Sequence, residues 1–283
     1  MMASAFDAIR TLWKKESLHK RASIGLILTF LSTLALIEAS RQGLLPGEMA
    51  ALVGQSHYMA INLAFSLVLI LEVISLIFTL PASMSRALGK QFEILALIFI
   101  RNCFKNLSDL PEPIEITGHT DVLWHILSYG CGAVVIFALL GVYLSLLKKL
   151  DEALSKGPSL DRFIKAKKGV SLMMLIIFII MGAANLTLQI KGEAGFHFFQ
   201  YFYTVLIFSD ILLVLIAQAF LPQFPAVFRN SGYAVATLMI RLSLTAPTNY
   251  DVGIGIFAVL FAMGLTLVYN RFYTIRREPG ETP

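Results

Sequence analysis

At 283 residues, 57% hydrophobic, 14% charged and mean hydropathy +0.74, the chain has too few charges to coat a water-soluble domain of its size. Its net charge of +5 comes without a basic-aromatic patch that would grip nucleic acid, so basic residues are read by position, as cytoplasmic flanks of membrane segments. Two cysteines, Cys103 and Cys131, exclude a disulfide framework and a four-thiolate metal site.

In the leading segment, 1–21, Phe6, Ile9, Leu12 and Trp13 are mixed with Arg10, Lys14, Lys15, Lys20 and Arg21. That mixture predicts a short helix on the cytoplasmic membrane surface. A crossing needs about 20 helical residues, and eight apolar runs reach or approach this: 22–40, 58–80, 91–108, 122–147, 170–190, 200–220, 231–246 and 252–270. The third and seventh are shorter and more polar, and by periodicity alone the third suits an interfacial helix. Keeping both as crossings leaves only Arg41, Lys105 and Lys191 as outer basic residues, whereas dropping either one puts basic loops on the wrong face. A basic linker, 148–169, divides the chain, and a basic tail, 271–283, closes it. The expected fold is all-α, with eight transmembrane helices, both termini cytoplasmic, in a bacterial inner membrane.

Self-similarity supports two tandem copies, 22–147 and 170–270. Gly130, Gly132, Gly141 and Lys148 recur with identical spacing as Gly253, Gly255, Gly264 and Arg271. Ala96, Ile100 and Arg101 recur as Ala236, Ile240 and Arg241, and Ser66 and Glu72 as Thr204 and Asp210. Lys20, Ser23, Phe30 and Ala35 are echoed by Lys168, Ser171, Phe178 and Ala183. An even number of crossings per copy predicts two parallel four-helix repeats about a pseudo-two-fold axis along the membrane normal. The first apolar run then has an internal counterpart, which argues against a cleaved signal peptide. The repeated glycines suit close helix packing.

Each copy also carries an acid in its second run and an arginine in its third, Glu72 with Arg101 and Asp210 with Arg241. By helical rise Glu72 lies about 13 Å from the inner end of its run and Arg101 about 16 Å, with Asp210 and Arg241 about 15 Å. Charges at that depth are costly unless paired, so pairing within each hairpin is expected. Asn62, Ser66, Ser75 and Thr79 share a broad face with Glu72; Glu93, Arg101 and Lys105 form one stripe, and Arg229, Tyr233, Thr237, Arg241 and Thr245 the matching one.

Two functions fit these stripes. One is a channel or secondary transporter for protons or a small monovalent cation, with Glu72 and Asp210 as binding sites, Arg101 and Arg241 as tethered counter-charges, and Asn62, Glu93, Tyr233 and Thr237 along the route. The other is a membrane scaffold or signalling subunit whose buried ion pairs are structural and whose basic segments, 4–21 and 148–169, bind anionic lipid or a partner. The chain admits a homo-oligomer. His57, His119, His125 and His197 fall near the outer face, with Glu115, Asp121 and Glu193 nearby, a weak metal or pH-sensor candidate without paired ligand spacing. No deep histidine serves a haem, and no phosphate loop or nucleophile motif points to an enzyme; no cofactor is expected.

Overall fold

The structure, a computed structural model, describes residues 2–44, 46, 56–81, 83–107, 110, 118, 120–148, 158–191, 194–220, 224–248 and 250–271. These form an all-helical chain of nine described helices. They are α1 (Met2–Trp13), α2 (Glu16–Arg41), α3 (Tyr58–Thr79), α4 (Met84–Leu107), α5 (Thr120–Lys148), α6 (Pro158–Ile190), α7 (Phe198–Phe220), α8 (Phe224–Thr245) and α9 (Asp251–Tyr269). Six of them, α2, α3, α5, α6, α7 and α9, are long and apolar enough to cross a membrane. We read the protein as integral to one.

The two remaining long helices, α4 and α8, are the more polar ones, and they lie inside the bundle. Helix α4 packs against α3, α5, α8 and α9, and α8 against α4, α7 and α9. The helix that least resembles a membrane span by hydropathy is thus enclosed by those that most resemble one, since lipid-facing side chains must be apolar. At the other extreme, only 6% of the apolar window of α2 is buried, and Ile37 is its one residue packed out of contact with the surroundings.

Neighbours follow chain order: α2 packs on α3, α3 on α4 and α4 on α5, then α6 on α7, α7 on α8 and α8 on α9. Between these two runs, α5 and α9 lie side by side in the same direction. Tyr129 Oη donates to the Asp251 carboxylate near one end, and Asn270 Nδ2 donates to the Leu146 carbonyl, 3.2 Å, at the other. Glycines allow close packing at this seam, and between α9 and its neighbours α4 and α8. A Cβ at Gly132 would run into Val252, and one at Gly255 would sit 3.0–3.2 Å from Ser243 Oγ, Phe99 Cζ and Leu95 Cδ2.

Two boundaries differ from the sequence reading. The surface helix ends at Trp13, not Arg21, because Lys15 is extended (φ −66°, ψ 124°) and its carbonyl caps the next helix, so 16–21 belong to α2. Helix α1 is also partly packed: Phe6 is fully buried, Phe6 and Trp13 rest on the Phe78 ring, and Asp7 pairs with Lys168 at 2.6 Å. The basic linker becomes helical at Pro158, where a missing N–H costs nothing in a first turn. Residues 149–157 and 272–283 lie outside the described residues.

The glycines of α9 yield a test of opposite signs. Replacing Gly255 with Leu should destabilise the bundle by about 1–3 kcal/mol through overpacking. Gly264→Ala, where an added Cβ has no neighbour within 4 Å, should leave it unchanged or stabilise it by up to about 1 kcal/mol. Thermal unfolding of the purified protein in detergent reads both.

Candidate functional site

The four charged residues singled out in the sequence sit on the interior hairpins, the acids on α3 and α7 and the arginines on α4 and α8. Asp210 is 6% exposed and Arg241 3%, while the Glu72 side chain is 25% exposed and Arg101 is half-buried. The expected acid-arginine salt bridges do not form. Among the described residues neither Glu72 with Arg101 nor Asp210 with Arg241 comes within 4.0 Å.

The reason lies in where the helices begin. Helix α4 starts at Met84 and α8 at Phe224, ahead of the apolar runs at Gln91 and Ser231. By helical rise Arg101 and Arg241 are therefore about 26 Å from the turn-side ends of their helices, whereas Glu72 and Asp210 are about 10 and 15 Å from theirs. Asp210 and Arg241 still feel one another electrostatically.

Glu72 takes a different partner. Lys90 Nζ lies 3.6 Å from Glu72 and 2.9 Å from Glu93, an ion cluster joining α3 to the first turns of α4. Arg241 donates to Gln91 Oε1 at 3.3 Å and sits 5.7 Å from the centre of the Tyr203 ring. Both Arg101 and Arg241 lie within electrostatic range of Tyr203. Sequence reasoning missed Lys90, Gln91 and Tyr203. Tyr203 was findable, since it precedes Asp210 by two helical turns and so shares its face. Lys90 and Gln91 were hidden by their place at the edge of an apolar run.

Each acid opens into a small cleft. One, about 80 Å³, lies between α3 and α4 and is lined by Leu69, Glu72, Ile94, Leu97, Ile98 and Arg101 among others. The other, about 130 Å³, lies between α7 and α8 and includes Ile207, Asp210, Ala234, Thr237 and Leu238. Matching Glu72 to Asp210 and Arg101 to Arg241 places Leu69 opposite Ile207, Ile94 opposite Ala234, Leu97 opposite Thr237 and Ile98 opposite Leu238. Both walls are apolar and both carry outward-facing residues, Leu97 and Leu238. Inside, Glu72 Oε2 and Asp210 Oδ2 lack a hydrogen-bond partner among the described residues, as do Arg101 Nε and Arg241 Nε.

Other expected residues lie elsewhere. Asn62 is outside the Glu72 cleft, with its carbonyl accepting the Ser66 hydroxyl at 2.7 Å. Glu93 belongs to the Lys90 cluster. Tyr233 shares a hydrogen bond with Thr266, 2.9 Å, in the core between α8 and α9, whereas Thr237 does line the Asp210 cleft. The histidines do not gather. His57 joins Arg41 and Glu38 at 3.0 and 3.3 Å, His125 lies near Asp251, and His197 precedes α7. Among the described residues no three His, Cys, Asp or Glu side chains form a group that could hold a metal; His119, Glu115 and Glu193 lie outside them. Both cysteines are free, Cys103 part-buried and Cys131 exposed.

No protein-family model, curated protein or solved structure matches the chain.

If the clefts open to lipid, cysteines placed at Leu97 and Leu238, with Cys103 and Cys131 replaced by alanine, should react with an apolar maleimide and be spared by a membrane-impermeant sulfonate reagent. Mass spectrometry of the labelled protein in vesicles checks this, and labelling by the sulfonate would place the clefts in water.

Proposed function

We propose that this chain is a membrane transport protein for protons or a small monovalent cation, built as two parallel four-helix repeats with eight crossings and cytoplasmic termini in a bacterial inner membrane. The observation that carries the reading is the pair of matched clefts, each presenting a buried carboxylate oxygen with no hydrogen bond among the described residues, Glu72 Oε2 having the Lys90 ammonium 3.6 Å away. A buried acceptor without a hydrogen bond, as Asp210 Oδ2 is, costs several kcal/mol. A proton or cation is what offsets that cost.

The repeat is supported by three features. Helix neighbours in the first half are repeated in the second; the halves meet through α5 with α9 and α4 with α8, each helix against its own counterpart; and the α5–α9 contacts stay in nearly constant register from Tyr129–Asp251 to Leu146–Asn270. A two-fold along the membrane normal requires such self-pairing of equivalent helices. The departures concern α1 and α2: α1 packs on α6, and α6 also touches α3.

Of the two cargoes the geometry favours the proton. Clefts of about 80 and 130 Å³ with apolar walls offer few ligands to replace the oxygen shell a metal cation demands, while a proton needs only the carboxylate. Glu72 and Asp210 are the protonation sites. Arg241 is the positive charge nearest Asp210, and Lys90 stands beside Glu72 in place of the arginine expected from sequence. The Lys90 cluster is also the observation that favours the alternative, a scaffold in which buried ion pairs fix helix register.

Flux measurements separate the two. Purified protein in liposomes holding a pH-sensitive dye should pass protons down an imposed gradient. Glu72→Gln and Asp210→Asn should each slow this about tenfold or more, which corresponds to raising the barrier by about 1.4 kcal/mol, and the double variant should abolish it. Wild-type vesicles tight to protons, sodium and potassium under either polarity would leave the scaffold.

A further inference from the structure

A cleft larger than either acidic one lies between α8 and α9. Its volume is about 570 Å³, against about 130 and 80 Å³ for the clefts at Asp210 and Glu72. Phe228 and Val268 line one end and Val235 and Phe261 the other, so by helical rise it follows the two helices for about 10 Å. Apart from Ser231 every lining side chain is apolar, and Phe228, Val235 and Val268 are exposed. Gly264 also lines it, and a Cβ there would meet nothing within 4 Å. The cleft is thus an open groove in a face turned to hydrocarbon.

Positive charge stands at one end of this groove. Arg229, next to Phe228 in the chain, lays its guanidinium over the Tyr269 ring, 4.8 Å from the ring centre, and Tyr269 follows Val268. Arg229 is half-buried, and among the described residues no carboxylate lies within 4.0 Å of it. Arg271, exposed, comes about one turn beyond Val268. Helix α8 begins at Phe224 and α9 ends at Tyr269, so both arginines lie near helix ends, at the depth of phospholipid headgroups when helices of this length cross the hydrocarbon. An arginine at that depth buries its stem and presents its planar fork to phosphate.

We propose that the groove between α8 and α9 is a binding site for one anionic phospholipid, with an acyl chain along the groove, the headgroup phosphate held by Arg229, and Arg271 beside it. An apolar channel with a cationic end at headgroup depth matches an amphiphile of that form. A second copy of the chain fits less well. Copies related by a two-fold along the membrane normal meet through the same patch at the same depth, which sets Arg229 against Arg229. The site uses none of Glu72, Asp210, Arg101 or Arg241, and it stands whether or not the protein moves protons.

Native mass spectrometry of the full-length protein from mixed micelles, with phosphatidylglycerol and phosphatidylcholine of identical chains as probes, reads the site. Wild type should retain one phosphatidylglycerol at activation energies that strip phosphatidylcholine. Arg229→Gln should weaken that retention about tenfold, the equivalent of one hydrogen bond to a charged group, and adding Arg271→Gln should erase the difference between the two lipids. Gly264→Phe, which fills the groove from a position with open space, should retain neither lipid; if that variant fails to fold, Val235→Trp at the far end is read in the same way. Leu267→Phe, exposed on α9 but outside the groove, should bind as wild type. Equal retention of the two lipids by wild type, or a loss in Leu267→Phe as large as in Gly264→Phe, would overturn the site and leave only lipid that coats the whole bundle. Dimers that carry no lipid and come apart in Gly264→Phe would overturn it as well, giving the groove to a second copy.

Discussion

Holding charge away from water decides where each helix of this bundle sits. Arg101, Arg241, Asp210 and the Lys90 cluster lie on α3, α4, α7 and α8, and an ionised group there is tolerated only when other helices or an opposite charge surround it. Helices α4 and α8 are accordingly wrapped by apolar neighbours. The polarity that lowers their hydropathy is the polarity that drives them inward, and a scale built for lipid-facing helices undervalues them for that reason.

The seam between α5 and α9 supplies the framework that makes this enclosure possible. Gly132 makes room for the Val252 side chain of α9, and Gly255 for Leu95 and Phe99 of α4 and Ser243 of α8, and in the membrane such close packing replaces the hydrophobic drive available in water. At one end the buried Asp251 carboxylate takes the Tyr129 hydroxyl and the Val252 N–H, the latter at 2.7 Å. Both hairpins, α3 with α4 and α7 with α8, are then held at fixed positions relative to this spine, which places Arg241 within reach of Gln91 on the other half.

Along the helices the ionisable groups do not form two acid-arginine pairs. Lys90 gathers Glu72 and Glu93, while Arg241 takes Gln91, the residue after Lys90, and lies over the Tyr203 ring. Keeping acid and arginine out of contact in a low-dielectric medium carries a cost that a mobile proton offsets in the proposed mechanism. A purely structural role would be served better by direct contact between the acids and the arginines.

Composition alone determined that the chain belongs in a membrane, because 14% charge cannot solvate a domain of this size, and helical length with hydropathy located α3, α5, α7 and α9 to within two residues while missing the basic first turns of α2 and α6. Glu72, Asp210, Arg101 and Arg241 were also legible, since a charge inside an apolar run stands out whatever it touches. Their partners were not. Whether an acid meets an arginine depends on where a helix starts, and the segments 84–90 and 224–230 that lengthen α4 and α8 look like turn from sequence, with Arg86, Gly89 and Lys90 in one and Pro225, Arg229 and Asn230 in the other. Only the tertiary structure decided that Lys90 takes Glu72 and that Tyr203 and Gln91 come to Arg241, because the first two contacts depend on how far each hairpin's helices are offset and the third joins α8 to α4, which are distant in the chain.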